Sequence, residues 1–567
     1  MEQLQAFDRS ELAERDTPAP MTAARDIATI IGGAAMLAAC GDGGGSPTPT
    51  PAPTPTSTPT PTATITPAQA SRFLAQSTMG ATKTMVADVV SNGYAGWISA
   101  QFALPRATAH WDWLVANGYT AATYINSTAG FDPTVWRQAI VEPDQLRQRV
   151  GLALLDMLVV GIDGLVLNWK QFAAAGYLDV LLDNAFGNYR NLLDAITTNA
   201  AMASFLTFLG NRKANTATGA QPDENYAREL MQLFTLGLYQ LNIDGSVKMS
   251  GGVPLETYTP SDVSQLARVF TGLSLATSVS NTPDRYRVPL IMNAALNETG
   301  SATFLGTTTS GGGLAAIKVA LDTLFAHPNM PPFVSKQLIQ HLVTSNPSSA
   351  YIGRVANIFA DNGSGVRGDM KAVIRAILLD AEARSDAALS STSAGKLREP
   401  VTRLTGWARA FGVTSPSNAW AIGDTSSSST RLGQSIGRSQ TVFNYFRPGY
   451  SPPNTAISSA GLVAPEFQIT NELSVVAYVN YMSGLISNGT GDVKADYTDI
   501  LTKASDSAIL VDEINLVLAA GQLSAATVTT IRAAVDSISA STPAGQLNRV
   551  YTAILTTMAS TDYLTLK

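Results

Sequence analysis

Two carboxylates and one guanidinium fall within six residues, at Glu224, Arg228 and Glu229. Read as a helix, this segment puts Tyr226, Leu230, Leu233 and Phe234 on an apolar face. Glu224 and Arg228 stand four residues apart on another face, and Asn225 and Glu229 form a second such pair. In a cleft, partial burial would lift the pKa of Glu224 or Glu229 and equip it as a general acid or base of the kind glycoside cleavage uses. In a scaffold, Arg228 would hold the same carboxylates in an ion-pair network, with Arg268, Arg367 or Arg403 as further partners, because a planar guanidinium suits buried carboxylates. The scaffold is the expectation, and it makes Arg228 structurally indispensable. Loss of one partner from a buried pair costs about 3–5 kcal/mol.

Other chemistry is thinly represented. The three histidines, His110, His327 and His341, show no HxxxH or HxH spacing, which excludes an HExxH zinc hydrolase. His327 precedes Pro328 and reads as a helix end, and His341 falls on an amphipathic helix as a core or boundary residue. No GxSxG elbow occurs. Gly311 to Ala316 imitates a dinucleotide loop without a preceding hydrophobic strand, and Asp361 to Gly365 lacks the later acids of a calcium loop. Neither a cofactor nor a metal site is expected. Trp111 and Trp113 flank Asp112 and have the shape to stack on sugar rings or to fill a core.

The chain that must position these residues is 567 long, 45% hydrophobic and only 14% charged, with a formal net charge of −6. That composition excludes global disorder, and its scattered bases lack the footprint of a nucleic-acid binder. The single cysteine, Cys40, excludes an intramolecular disulfide and any CxxC pair. It ends the run from Met21 in which Arg25 precedes the apolar stretch Ile27 to Leu37 and the tetrad Leu37-Ala38-Ala39-Cys40. This reads as a secretory signal, and the tetrad resembles a bacterial lipobox, in which the thiol is acylated and the peptide is cut just before it. Residues 1–39 are therefore expected to be a cleaved leader. Residues 40–67 are expected to be a lipidated cysteine followed by a disordered Pro/Thr-rich stalk, extended at about 3.1 Å per residue. Gly41, rather than Asp, after the cysteine favours the outer membrane, so the expected location is the outer membrane or the periplasmic face of the cell envelope.

From residue 68 to 567 the patterning is mostly 3.6-periodic and predicts a large, mainly α, multi-helix domain with few short strands. Thr259-Pro260-Ser261-Asp262 is a capped helix start, Asn346-Pro347 repeats the device, and Met370 to Leu379 is a third amphipathic helix. The best strand candidates lie in 286–292 and 303–305, and the Gly/Ser/Thr stretches at 307–313, 390–395 and 425–430 read as surface loops. The apolar run Val150 to Trp169 contains Asp156 and Asp163, which favours a buried helix or helix pair over a membrane span.

Several blocks together resemble a large exported bacterial family, domain of unknown function 1800. They include Asp223 to Gly237, Tyr258 to Val263, Leu266 to Gly272, Ser71 to Leu74, Asp144 to Val150, Phe333 to Ile339, Arg367 to Asp369, Glu382 to Arg384, Lys396 to Pro400 and Pro465 to Gln468, in the family's order. The resemblance implies a mostly helical exported protein without an established activity, and a partner of the exported family domain of unknown function 1501. Where the family often shows His-Glu-x-Gly-x-Lys, this chain has Asn297-Glu298-Thr299-Gly300-Ser301-Ala302, losing the imidazole and the amine. The expected function is a cell-envelope lipoprotein that binds or assembles an exported partner or a surface polymer; the alternative is an envelope polysaccharide hydrolase using the carboxylates near Glu224.

The anchor is testable without a structure. A single acyl chain holds a protein to membranes only marginally, so stable retention needs the multiply acylated terminus of a lipoprotein. Cys40→Ala is expected to release the protein from the membrane fraction or leave it unprocessed. Unchanged retention with an unchanged mature mass would contradict the assignment.

Overall fold

Local signals start and stop most of the helices. The computed structural model describes residues 64–106, 108–276 and 281–567, so the expected leader, Cys40 and all of the stalk up to residue 63 lie outside the described residues. Thr66 opens the first helix, Pro67–Ser77, with a capping box shared with Gln69. Thr259 does the same for Pro260–Val269: its hydroxyl accepts from the Asp262 N–H, while the Asp262 carboxylate accepts from Thr259 N–H at 2.8 Å. The Met370–Leu379 helix forms as its periodicity predicts, with Met370, Val373, Ile374, Ile377 and Leu378 buried.

Asn346 departs from its expected role. The helix begins at Ser349 behind a Ser348 cap, and Asn346 instead brackets Val463, donating to its carbonyl and accepting from its N–H, both at 2.9 Å. The amide thus serves a connection 117 residues away that no local rule reveals. The run Val150 to Trp169 divides between the Gln145–Met157 helix and a short 3-10 turn, Ile162–Gly164, before the Lys170–Asn184 helix. Among the described residues no helix is long and apolar enough to cross a membrane.

The strands are short antiparallel pairs. Leu273–Ser274 pairs with Ile291–Met292, and Ala302–Phe304 with Thr307–Thr309, so the expected loop after residue 306 begins as a strand. Met249–Ser250 pairs with Val253–Pro254 across Gly251 and Gly252, both at positive φ, the geometry of a tight two-residue hairpin turn. Lys396–Leu397 pairs with Thr565–Leu566, tying the C-terminal end to the middle of the chain. The expected surface loop at 425–430 is anchored at its start, where Thr425 is fully buried and donates to Gln434 O at 2.6 Å.

Ile65–Lys567 forms one compact unit around two hydrophobic cores. The first is built from residues between Ala70 and Ala383, with Phe172, Tyr189, Leu338 and Phe359 among its fully buried members. The second gathers Val401 to Tyr563 and borrows Met79, Trp136, Ala139, Ile140 and Leu152 from the N-terminal helices. A long stretch without regular helix runs from the end of Pro400–Ala410 to Ala456–Ser459. It is pinned at Gly161, where an added Cβ would stand 1.7 Å from Ser439 O, and at Arg438, whose fork grips Asp132 at 2.7 and 2.8 Å. Only glycine permits the first approach.

Candidate functional site

The helix carrying the expected cluster is one turn long. Asn225–Glu229 passes directly into a π-helical turn, Leu230–Thr235, in which Leu236 N–H reaches back five residues to Met231 O at 2.9 Å. Such wide turns are rare and are enriched at functional sites. Below it, Tyr226 stacks on Phe208 with ring centroids 4.0 Å apart and shares a 2.6 Å hydrogen bond with Thr197 Oγ1. That buried anchor fixes which side chains point outward.

The two carboxylates then separate. Arg228 Nη2 meets Glu224 Oε2 at 2.9 Å, but the two side chains remain 42% and 37% exposed, and Ser264 donates to the other Glu224 oxygen. This corrects the expected buried scaffold, because an exposed i,i+4 pair contributes only about 0–1 kcal/mol. Arg268, Arg367 and Arg403 do not extend it. Arg268 faces Gln265 and Glu298, Arg367 donates to the carbonyls of Phe325 and His327, and Arg403 donates to Arg398 O.

Glu229 lies on the inner flank, 8% exposed, with Oε2 lacking any hydrogen-bond partner. Burial pushes its carboxyl up to about 7, against the opposing pull of Arg228. Tyr258, whose hydroxyl donates to Gln232 Oε1 at 3.4 Å, is raised by burial and feels the charges of both Arg228 and Glu229. A carboxyl near neutrality beside a guanidinium and a phenol is a proton-transfer set in type. Trp111 and Trp113, each 4% exposed, are core residues rather than sugar platforms. In the segment that departs from the family pattern, Asn297 is buried and donates to Thr271 O at 2.7 Å, which is a structural clamp.

A second constellation, missed in the sequence, lies where the two cores meet. Asp156 lies in the last turn of Gln145–Met157, His341 in the last turn of Met330–Leu342, Glu399 immediately precedes Pro400–Ala410, and Lys396 lies on the short strand before it. Their donor atoms converge: His341 Nδ1 is 3.5 Å from Asp156 Oδ2, and Asp156, His341 and Glu399 bring one potential ligand atom each within 4.8 Å of one another. Arg149 and Lys396 both donate to the His341 carbonyl, at 2.5 and 2.8 Å. Lys396 also meets Glu466 Oε1 at 2.9 Å, and Gln434 donates to Glu399 Oε2 at 3.0 Å.

Burial and charge set the protonation states here. Burial drives His341 down to about 3, with Lys396 adding to the effect, so the imidazole is neutral. Burial also lifts Asp156 well above the usual carboxylate range, reinforced by Glu399, and raises Glu466 against the pull of Lys396. Glu399 would be raised in the same way, but Lys396 and Arg149 overcome its burial and hold it below its ordinary value. The residues stand apart in the sequence: Asp156 is a charge in an apolar run, and Lys396 to Pro400 is one of the blocks that resemble the family. Nothing local joins four segments spread over 310 residues, counted from Asp156 to Glu466.

A mainly helical body of paired cores with an ionic seam between them defines the class. The chain belongs to the family described as protein of unknown function DUF1800, which it matches over residues 72–565. No curated protein and no solved structure matches it significantly.

The two faces of the Glu224 to Glu229 turn predict opposite mutational behaviour. Glu229 ionises at about 7 folded and near 4.3 unfolded. The folded state therefore keeps a proton that the unfolded state releases, and stability is fully present below the unfolded value and lost as pH rises through 7. Glu229→Gln is expected to flatten that loss, melting close to wild type at pH 5 and above it at pH 8. Arg228→Ala is expected to cost no more than about 1 kcal/mol. Thermal melts of both variants across pH 5–8 check this, and a large loss for Arg228→Ala would restore the scaffold.

Proposed function

We propose that this chain is a cell-envelope lipoprotein, held at the membrane through Cys40, whose folded body binds or assembles an exported protein partner. The observation that supports the reading is the arm at residues 238–256. Leu238, Ile243, Val247, Met249 and Val253 are all large, apolar and 39–65% exposed on this one short segment. Scattered exposed apolar residues need no explanation, but several on one short segment mark an interaction element. The arm is also held firmly at its base, where Asn329 accepts from Leu241 N–H at 2.8 Å and donates to Leu236 O and Tyr239 O at 3.0 and 2.7 Å. A rigid base with an apolar tip lowers the ordering cost of docking.

The partner proposed is an exported protein of the family domain of unknown function 1501. Co-expression with such a protein is expected to give a complex that survives purification, and the double change Met249→Asp and Val253→Asp is expected to abolish it without altering the melting temperature. Both residues stand at the exposed tip, so folding should be untouched. Equal co-purification of wild type and variant, or no complex with either, would contradict the assembly role.

Glu229 supports a second reading, an envelope polysaccharide hydrolase. Its near-neutral carboxyl with an unpartnered oxygen beside Arg228 and Tyr258 is the observation in favour. This moves the catalytic candidate from Glu224, whose oxygens are engaged by Arg228 and Ser264, to Glu229.

A further inference from the structure

We infer that Asp156, His341 and Glu399 form a binding site for one divalent first-row transition metal ion. The three residues lie on separate segments and bring a carboxylate oxygen, an imidazole nitrogen and a second carboxylate oxygen within 4.8 Å of one another. Tetrahedral coordination at about 2.0–2.2 Å sets donor atoms roughly 3.3 Å apart. The Asp156 Oδ2 to His341 Nδ1 separation, 3.5 Å, is already close to that spacing.

The second observation is independent of that spacing. Asp156 Oδ2 and Glu399 Oε1 are both buried and both lack a hydrogen-bond partner, while each residue's other oxygen is engaged, by Asn444 and by Gln434. Buried polar atoms are almost always satisfied, and a pair of orphans facing one imidazole calls for a group between them. The engaged oxygens are the outer supports that orient carboxylate ligands in metal sites.

Two cations, Arg149 and Lys396, stand close by. Arg149 and Lys396 both donate to the His341 carbonyl, a satisfied helix C-terminus, and Lys396 has its shortest carboxylate contact with Glu466. Glu399 Oε1 is left with long ion pairs of 3.5 Å to Lys396 and 3.8 Å to Arg149, neither of which takes up its lone pair. The imidazole in the donor set favours zinc, and the two carboxylates also admit manganese, over magnesium or calcium, which take oxygen-only cages. Three protein ligands leave a coordination position for water.

The test uses the full chain, purified in detergent, stripped with chelator and titrated calorimetrically with zinc chloride and, separately, manganese chloride. One equivalent of at least one ion is expected to bind, with a matching rise in melting temperature. Asp156→Asn keeps the shape and the contact to Asn444, so it should fold, melt like the stripped wild type and lose metal affinity. The loss should exceed that of Asn444→Ala, for which removal of an outer support predicts roughly 10–100-fold. No binding of either ion to the stripped protein, or undiminished affinity in a folded Asp156→Asn, would overturn the site.

Discussion

A helix carbonyl that has run out of partners organises the interior. At the end of Met330–Leu342 the carbonyl of His341 is buried between the two cores, where an unpaired acceptor would be costly. Arg149 reaches it from the first core and Lys396 from the strand that leads into the second. Bringing two cations into an interior requires counter-charges, and Glu399 and Glu466 supply them from the second half of the chain. Arg398 and Arg403, also buried, find their own compensation in backbone carbonyls and in the rings of Tyr563 and Tyr478. The seam thus ties distant segments by charge, beside the apolar contacts through which the second core takes in Met79, Trp136 and Leu152. Such a network is a weak source of net stability, yet breaking one member of it is expensive.

The long stretch between Pro400–Ala410 and Ala456–Ser459 belongs to the same construction. It delivers Gln434 to Glu399, Asn444 to Asp156 and Arg438 to Asp132 and Asp163. Extended structureless segments inside a folded body are usually functional. Here the irregular backbone is what lets three polar side chains arrive at three different places, which a helix of fixed pitch would not do.

How much of this was legible depended on distance along the chain. The capping box at Thr259 was readable because its two hydrogen bonds close within three residues. Asn346 had the same appearance but clamps Val463, so its role was invisible locally. At Glu224 and Glu229 the pattern located a cluster but chose the wrong burial. The spacing between them, five residues at about 100° each, puts them on different flanks. Only the packing of Tyr226 against Phe208 decides which flank faces inward. The hairpin at Gly251 and Gly252 has a local turn signal in its two adjacent glycines, but its two-residue strands are too short to show alternation. The seam had no local signal beyond isolated charges in apolar surroundings, because its members meet only after both cores have formed.

The central claim is that the two cores act as one body because the charged seam joins them. Native-state hydrogen exchange, compared between wild type and Lys396→Met, tests it most directly. The account predicts that amides of Lys170–Asn184 in the first core and of Ser507–Ala519 in the second lose protection together. The common loss should be about 3–5 kcal/mol, the consequence of stranding Glu399 and Glu466. Loss confined to Ser507–Ala519, with Lys170–Asn184 as protected as in wild type, would show two independent cores and contradict it.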